Sequence, residues 1–233
     1  MITVFNGVDH VLQITGYNQV NICMSRQIDD LANARPSDDW IKQHSGLPHL
    51  RLDVTAPVQE IMAEWQQVSH MAVEHRSSDR SQDEGNSGWK SLTLYGVHHT
   101  VTDHSDQPHA WTEVADRCPK TKQWYLDTFG EKRLRGRIRF MLVEPGGWIL
   151  PHQDRQESFL SEVNVAINNP TGCEFHMLNR GKVPFRPGDV YMLDLSNRHW
   201  VVNRSDTARL HMIYHGKVPS QLVQRSYENI YYA

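Results

Sequence analysis

The period of the apolar positions changes at about residue 135. Before that point, Val58, Ile61, Met62, Trp65, Val68 and Ala72 recur at helical spacing behind Pro57, a residue suited to a helix's first turn. A second helical run over Thr112–Phe129 carries Val114, Ala115, Cys118, Tyr125, Leu126 and Phe129, and Pro119 inside it predicts a break or kink. Between the two, 75–88 is polar without periodicity and reads as a loop. Trp89–Val97 follows as a strand, alternating Leu92 and Leu94 with Ser91, Thr93 and Tyr95.

From Gly136 onward the runs shorten: RIRFMLVEPGGWILPHQD, SEVNVAINNP, CEFHML, VPFRPGDVYMLDL, HWVVN and ARLHMIYH. Pro-Gly-Gly, Asn-Pro-Thr-Gly, Arg-Pro-Gly-Asp and Asn-Arg-Ser-Asp separate them. Many short strands with regular turn chemistry predict a sandwich or jelly roll. The expected fold is mainly β with α, an α-rich N-terminal half packed against a jelly roll. It forms one domain over 1–233, with a core at 136–216 and a C-terminal tail at 217–233.

Composition narrows the classes rather than the fold. The chain has 233 residues, a net charge of -3 and 39% hydrophobic residues, with a mean hydropathy of -0.60 and a pI near 6.5. That balance offers no pull toward nucleic acid or anionic lipid, and no apolar stretch approaches the ~20 residues of a membrane span. Trp65, Trp111, Trp124 and Trp200 therefore read as core or rim packing, not as a base-stacking platform. Cys23, Cys118 and Cys173 are too few and too scattered for a disulfide framework or a zinc pattern. Met1–Cys23 carries Asp9, His10, Gln13 and Asn18 and no basic start, so no secretory signal is expected there. The expected setting is cytoplasmic.

Histidine is the unusual count, at 14. His98, His99, His104 and His109 cluster in a loop and read as loop histidines rather than as a specific metal site. His152-Gln153-Asp154 instead closes a strand, where residues two apart point to one side, so an imidazole and a carboxylate can face one ion. His199 is the candidate third ligand. Two histidines and one carboxylate leave coordination positions open, the arrangement suited to non-haem Fe(II) and oxygen chemistry. A second H-x-D, His104-Ser105-Asp106, competes with it. Arg209, ten positions past His199, separates the two. On a neighbouring antiparallel strand it would sit beside His199, and a guanidinium grips a carboxylate by two parallel hydrogen bonds. The corresponding position for the competitor is Glu162, which supplies no cation. The plain alternative for Arg209 is an ion pair with Asp194 or Asp206.

The order H-x-D, distant His, then Arg resembles the Fe(II)/2-oxoglutarate-dependent dioxygenases. Within them it is similar to the aspartyl/asparaginyl β-hydroxylase family, including its proline-hydroxylase-like members. The resemblance is carried by EPGGWILPHQD, VNVAINNPTGCEF and FRPGDVYMLDLSNRHWVVNRSDTARLHMIYHG, over about 136–216. It implies a double-stranded β-helix of cupin-like form, Fe(II) held by His152, Asp154 and His199, and 2-oxoglutarate held through Arg209. It also implies hydroxylation of an unactivated C–H bond in an amino acid or amino-acid residue, with O2 consumed and succinate and CO2 as co-products. Asn164 falls where the family contacts the co-substrate's other end, although the family often has a basic residue or histidine in that strand. Arg137 and Arg139 share a strand face and read as either co-substrate or substrate contacts, or a solvated edge. His211 alternates with Arg209 and reads as a cavity group or a hydrogen-bonded core histidine, and Asn203 as a turn residue. The expected partner is a small amino acid or carboxylate, or a cytosolic peptide. Two rivals are a cupin-like metal protein that makes no use of 2-oxoglutarate and a non-catalytic jelly-roll module.

Overall fold

The computed structural model of the chain describes residues 35–75, 85–101, 107–131 and 134–232. The chain divides into two compact units, Met1–Pro36 and Ser37–Ala233, and the elements and the site belong to the second. His104 and Asp106, the competing H-x-D, lie outside the described residues.

Before residue 135 this unit mixes helices and strands. Helix α1 (Asp38–His44) starts at Ser37, whose Oγ accepts the Trp40 N–H at 3.2 Å. Strand β1 (His49–Thr55) alternates, burying Leu50 and Leu52. Helix α2 (Val58–Val68) begins behind Pro57 and buries Ile61, Trp65 and Val68 on one face. Strands β2 (Val73–Glu74), β3 (Ser87–Gly96) and β4 (Ala110–Trp111) follow, then helices α3 (Glu113–Arg117) and α4 (Pro119–Phe129). The break between these two helices falls at Cys118, because Pro119 has no N–H to extend α3 but fits the first turn of α4. Buried Glu64 of α2 receives the otherwise orphaned N–H groups of Lys120 and Thr121 at 2.7 and 2.9 Å, closing the N-terminus of α4.

The second half supplies β5 (Leu134–His152), β6 (Glu162–Ala166), β7 (Cys173–Met177), β8 (Gly181–Lys182), β9 (Asp189–Leu193), β10 (His199–Asn203) and β11 (Arg209–Gly216). All pairings are antiparallel, in the order β1-β9-β6-β11-β5-β10-β7-β8, with β3 joined to β5. Long β5 belongs to two sheets. Its first part, 134–143, pairs with β11, and its last part, 148–152, pairs with β10. Between them Pro145-Gly146-Gly147 turns the strand. Gly146 sits at φ +71, and a Cβ on Gly147 would meet Ser87 O at 2.6 Å, so neither position accommodates a side chain without strain or displacement. Strands β1, β9, β6, β11, β5 and β3 make the major sheet of a jelly-roll arrangement, and β5, β10, β7 and β8 the minor one.

Along the major sheet, successive residues go to opposite faces. Ile138, Phe140, Val163, Val165, Val190, Met192, Leu210, Met212 and Tyr214 join Ile61, Trp65, Tyr125, Phe129 and Leu222 in one core under the helices. Their alternates, Met141, Val143, Ala166, Tyr191 and Leu193, join Phe175 and Val201 from the minor sheet in a second. The residues 217–233, expected as a tail, carry helix α5 (Ser220–Tyr231), tied to β1 where Ser226 Oγ accepts the Asp53 N–H at 2.8 Å. No helix among the described residues is long and apolar enough to cross a membrane.

The fold also corrects the expected pairing of the strands that carry His199 and Arg209. β10 and β11 are not paired neighbours; each pairs with β5, in different sheets. The Asn203–Arg209 connection is an arch from the minor to the major sheet. Asn203 anchors it: its Nδ2 donates to Val143 O, Glu144 O and Thr207 O at 2.9–3.1 Å, while Oδ1 accepts from Ser205. It is the last residue of β10 rather than a turn residue, and it is completely buried.

Candidate metal centre and anion pocket

Between the sheets lies a cavity of about 350 Å³, and His152, Asp154, His199, Arg209, Asn164, Arg137 and Arg139 all line it. His152 ends β5 and His199 begins β10, and the two are register partners. Cross-strand partners sit side by side, and these rings lie 4.3 Å apart. Asp154 follows the strand end, where its N–H donates to Leu195 O at 3.1 Å. That bond sets its carboxylate 3.4 Å from His152 Nε2 and 3.9 Å from His199 Nε2. One ligand atom from each of the three lies within 4.8 Å of the others.

The tautomers follow from the backbone. His152 Nδ1 donates to Leu150 O at 2.8 Å and His199 Nδ1 to Asn197 O at 3.0 Å. Each ring therefore presents the lone pair of Nε2 toward the carboxylate, the state a metal ligand needs. Desolvation, reinforced by the neighbouring His152, lowers the His199 pKa and keeps that imidazole neutral. Phe175 stacks on His199 at 6° and fixes the ring plane. Two imidazole nitrogens and a carboxylate, open on the cavity side, fit Fe(II).

Arg209 projects from β11 on the opposite wall, 3% exposed, its guanidinium 6.0 Å from the rings of Phe175 and Phe185. Among the described residues no carboxylate lies within 4 Å of it: Asp194 is engaged by Ser158 and Ser196, and Asp206 by Thr207. Burial lowers its pKa to about 10, which still leaves it cationic at neutral pH. Its Nη2 donates to His211 Nδ1 at 2.8 Å, and its Nε has no partner among the described residues. His211 lies fully buried behind Arg209, and is not among the residues lining the cavity. Nδ1 of His211 is also 2.5 Å from the Asn164 amide. Nδ1 offers a single site, shared between the Arg209 guanidinium and the Asn164 amide, so the three side chains are held together in one buried cluster. Burial and the adjacent Arg209 hold the His211 pKa well below its usual value, so it buttresses the arginine without competing in charge.

Arg137 and Arg139 are each 5% exposed and face inward from β5, so they are not a solvated edge. Arg139 Nη2 lies 3.1 Å from His215 Nε2. Several lining residues are not among the sequence candidates: His75, Trp89, Arg155, Glu162 and Phe175. Arg155 pairs with Glu162 and lies over Phe159 at 4.3 Å. His75 packs on Trp89 at 4.1 Å and bonds Ser91 Oγ at 3.0 Å. The signal for Trp89 is the inward alternation of Trp89, Ser91 and Thr93, legible only once β3 is known to pair with β5.

The chain is similar to known proteins in sequence pattern and in fold. The family model described as aspartyl/asparaginyl beta-hydroxylase matches residues 55–219, well beyond the 136–216 over which the motifs are legible. No curated protein matches the chain in sequence. Among solved structures, a 2OG-Fe(II) oxygenase family oxidoreductase from Burkholderia pseudomallei shares 13% identity at a TM-score of 0.51, covering 78% of this chain and 89% of its own. A Pseudomonas putida prolyl-4-hydroxylase shares 15% identity at 0.45, covering 78% of this chain and 97% of its own. A non-heme alpha ketoglutarate dependent carbocyclase of nogalamycin biosynthesis shares 13% at 0.48, covering 79% and 87%. With the family model spanning most of its length, the chain belongs to the aspartyl/asparaginyl beta-hydroxylase family and is an oxidoreductase of the 2-oxoglutarate-dependent oxygenase class.

Proposed function

We propose that the chain hydroxylates an unactivated C–H bond of a small amino acid or amino-acid residue, with Fe(II) on His152, Asp154 and His199. When bound, Fe(II) and 2-oxoglutarate supply the oxidising power, and O2 is consumed with succinate and CO2 as co-products. The rest is positioning. Arg209 takes the far carboxylate of 2-oxoglutarate by a charge-assisted pair of hydrogen bonds, held in direction by His211 and Asn164. Met141, Ile149, Leu193 and Val201 keep water from the reacting end. Arg137 and Arg139, further along β5 from His152, suit a substrate carboxylate.

One observation carries this reading: a buried guanidinium that meets no carboxylate among the described residues shares a cavity with a two-histidine, one-carboxylate cluster. A buried charge without its counter-ion is costly, and an anionic ligand removes that cost. The reading retains one dioxygenase domain, with helices α1 to α4 backing the major sheet, and a cytoplasmic setting. The test is turnover of 2-oxoglutarate to succinate with Fe(II) over a panel of free amino acids and short peptides, under 18O2. The expected result is a product heavier by one labelled oxygen, lost in Arg209→Ala. Succinate formation undiminished in that variant would contradict the assignment.

A further inference from the structure

The histidine-rich run beginning at His98 is the sequence feature that the iron reading leaves unused. After β3 ends at Gly96 the chain folds back on the strand: Thr93 N donates to His99 O at 3.2 Å, and Thr93 Oγ1 to Val101 O at 3.3 Å. The start of α3 hangs on the same stretch, because Thr112 N donates to Leu94 O at 2.8 Å and Thr112 Oγ1 to Thr93 O at 2.7 Å. Two segments are thus fixed to one piece of strand, and their side chains converge.

In extended backbone, adjacent side chains point apart. Here the His98 and His99 rings lie 4.3 Å from one another, and both reach Glu113. His98 Nε2 is 3.9 Å from Glu113 Oε1, and His99 Nδ1 contacts the same oxygen. One ligand atom from each of the three lies within 4.8 Å of the other two. His98 Nδ1 is 2.9 Å from Thr100 Oγ1 and accepts the Thr100 N–H at 3.4 Å, contacts that hold the ring at the turn.

We infer that His98, His99 and Glu113 form a second metal site, for a divalent ion of the zinc type, that clips the turn after β3 to the start of α3. Two imidazoles and a carboxylate are a zinc ligand set, with water completing the tetrahedron. Bonds of about 2.0–2.2 Å space such ligands roughly 3.4 Å apart, so half-exposed Glu113 needs only a small rotation. The site is separate from the iron triad: Thr93 pairs with Arg139, whereas the triad lies at the far end of β5.

The test is calorimetric titration of the intact chain with Zn(II). Two equivalents are expected, one at the triad and one here. His99→Ala and Glu113→Gln should each bind one, and His152→Ala should retain the equivalent that those variants lose. Both site variants should still develop the visible band with Fe(II) and 2-oxoglutarate, which shows that they fold with the triad intact; His98→Gln gives a milder third variant. One equivalent in the wild type, lost in His152→Ala, would overturn the site, as would two equivalents surviving in His99→Ala and Glu113→Gln. A single equivalent lost in His99→Ala but kept in His152→Ala would support this site and count against the triad.

Discussion

The two faces of the major sheet are built from alternate residues of the same strands, and they obey different rules. Toward the helices, Phe140, Leu210, Met212 and Tyr214 are fully buried in an apolar core. Toward the cavity, their neighbours Arg139, Arg209 and His211 are buried to the same degree. There, Trp89 Nε1 and Arg209 Nε lack hydrogen-bond partners among the described residues. Each such atom costs on the order of 1–3 kcal/mol, and folding does not recover that cost by itself. One face stabilises the fold, and the other is poised for a ligand.

Substitutions on the two faces should therefore fail differently. The largest effect belongs to the triad: His152→Ala or His199→Ala abolishes Fe(II) binding and turnover, read by metal analysis and succinate formation. Arg209→Met comes next. Losing a bidentate charged pair worth about 3 kcal/mol should weaken 2-oxoglutarate binding at least ~100-fold. Because the variant also removes a buried charge that no described carboxylate balances, the ligand-free protein should melt no lower than wild type. Phe140→Ala, from the other face, should reverse that pattern, costing about 3–5 kcal/mol of stability while the folded fraction binds 2-oxoglutarate normally. Calorimetry with and without co-substrate separates the two.

Smaller effects sharpen the contrast. Glu64→Gln weakens the closure of α4 and should cost about 1–3 kcal/mol in denaturant titrations, with the site untouched. His211 gives a pH signature. Its folded pKa is depressed by burial and by Arg209, so below the ordinary value of about 6.5 the unfolded chain binds a proton that the folded chain refuses. The stability it contributes is present at neutral pH and is lost as pH falls below about 6.5, with a slope up to ~1.4 kcal/mol per pH unit. His199 adds in the same direction. His211→Leu should flatten this slope and raise the KM for 2-oxoglutarate about tenfold.

Much of this was legible in the sequence because strand period is local. The alternation in RIRFMLV and RLHMIYH already divides Ile138, Phe140, Leu210 and Met212 from Arg137, Arg139, Arg209 and His211. The break at Pro119 and the helix behind Pro57 are equally local. What escaped depends on pairing between distant residues. The turn before Arg209 suggested a hairpin, yet β5 separates β10 from β11, which no local pattern encodes. Strand β1 and helix α5 had usable signals, Leu50 and Leu52 in alternation and Leu222, Val223 and Ser226 along one face, but their place in the fold depends on β9 and on each other. His75, Trp89 and Arg155 reach the cavity only through tertiary approach.

The central claim is that the buried arginine and the triad act on one co-substrate. Anaerobic titration with Fe(II) and then 2-oxoglutarate tests it directly through the visible charge-transfer band of the chelate. The account predicts a band in the wild type, none in His199→Ala, and a band in Arg209→Met only at far higher 2-oxoglutarate. Stoichiometric Fe(II) binding with no band in the wild type, or a band equally strong in Arg209→Met, would contradict it.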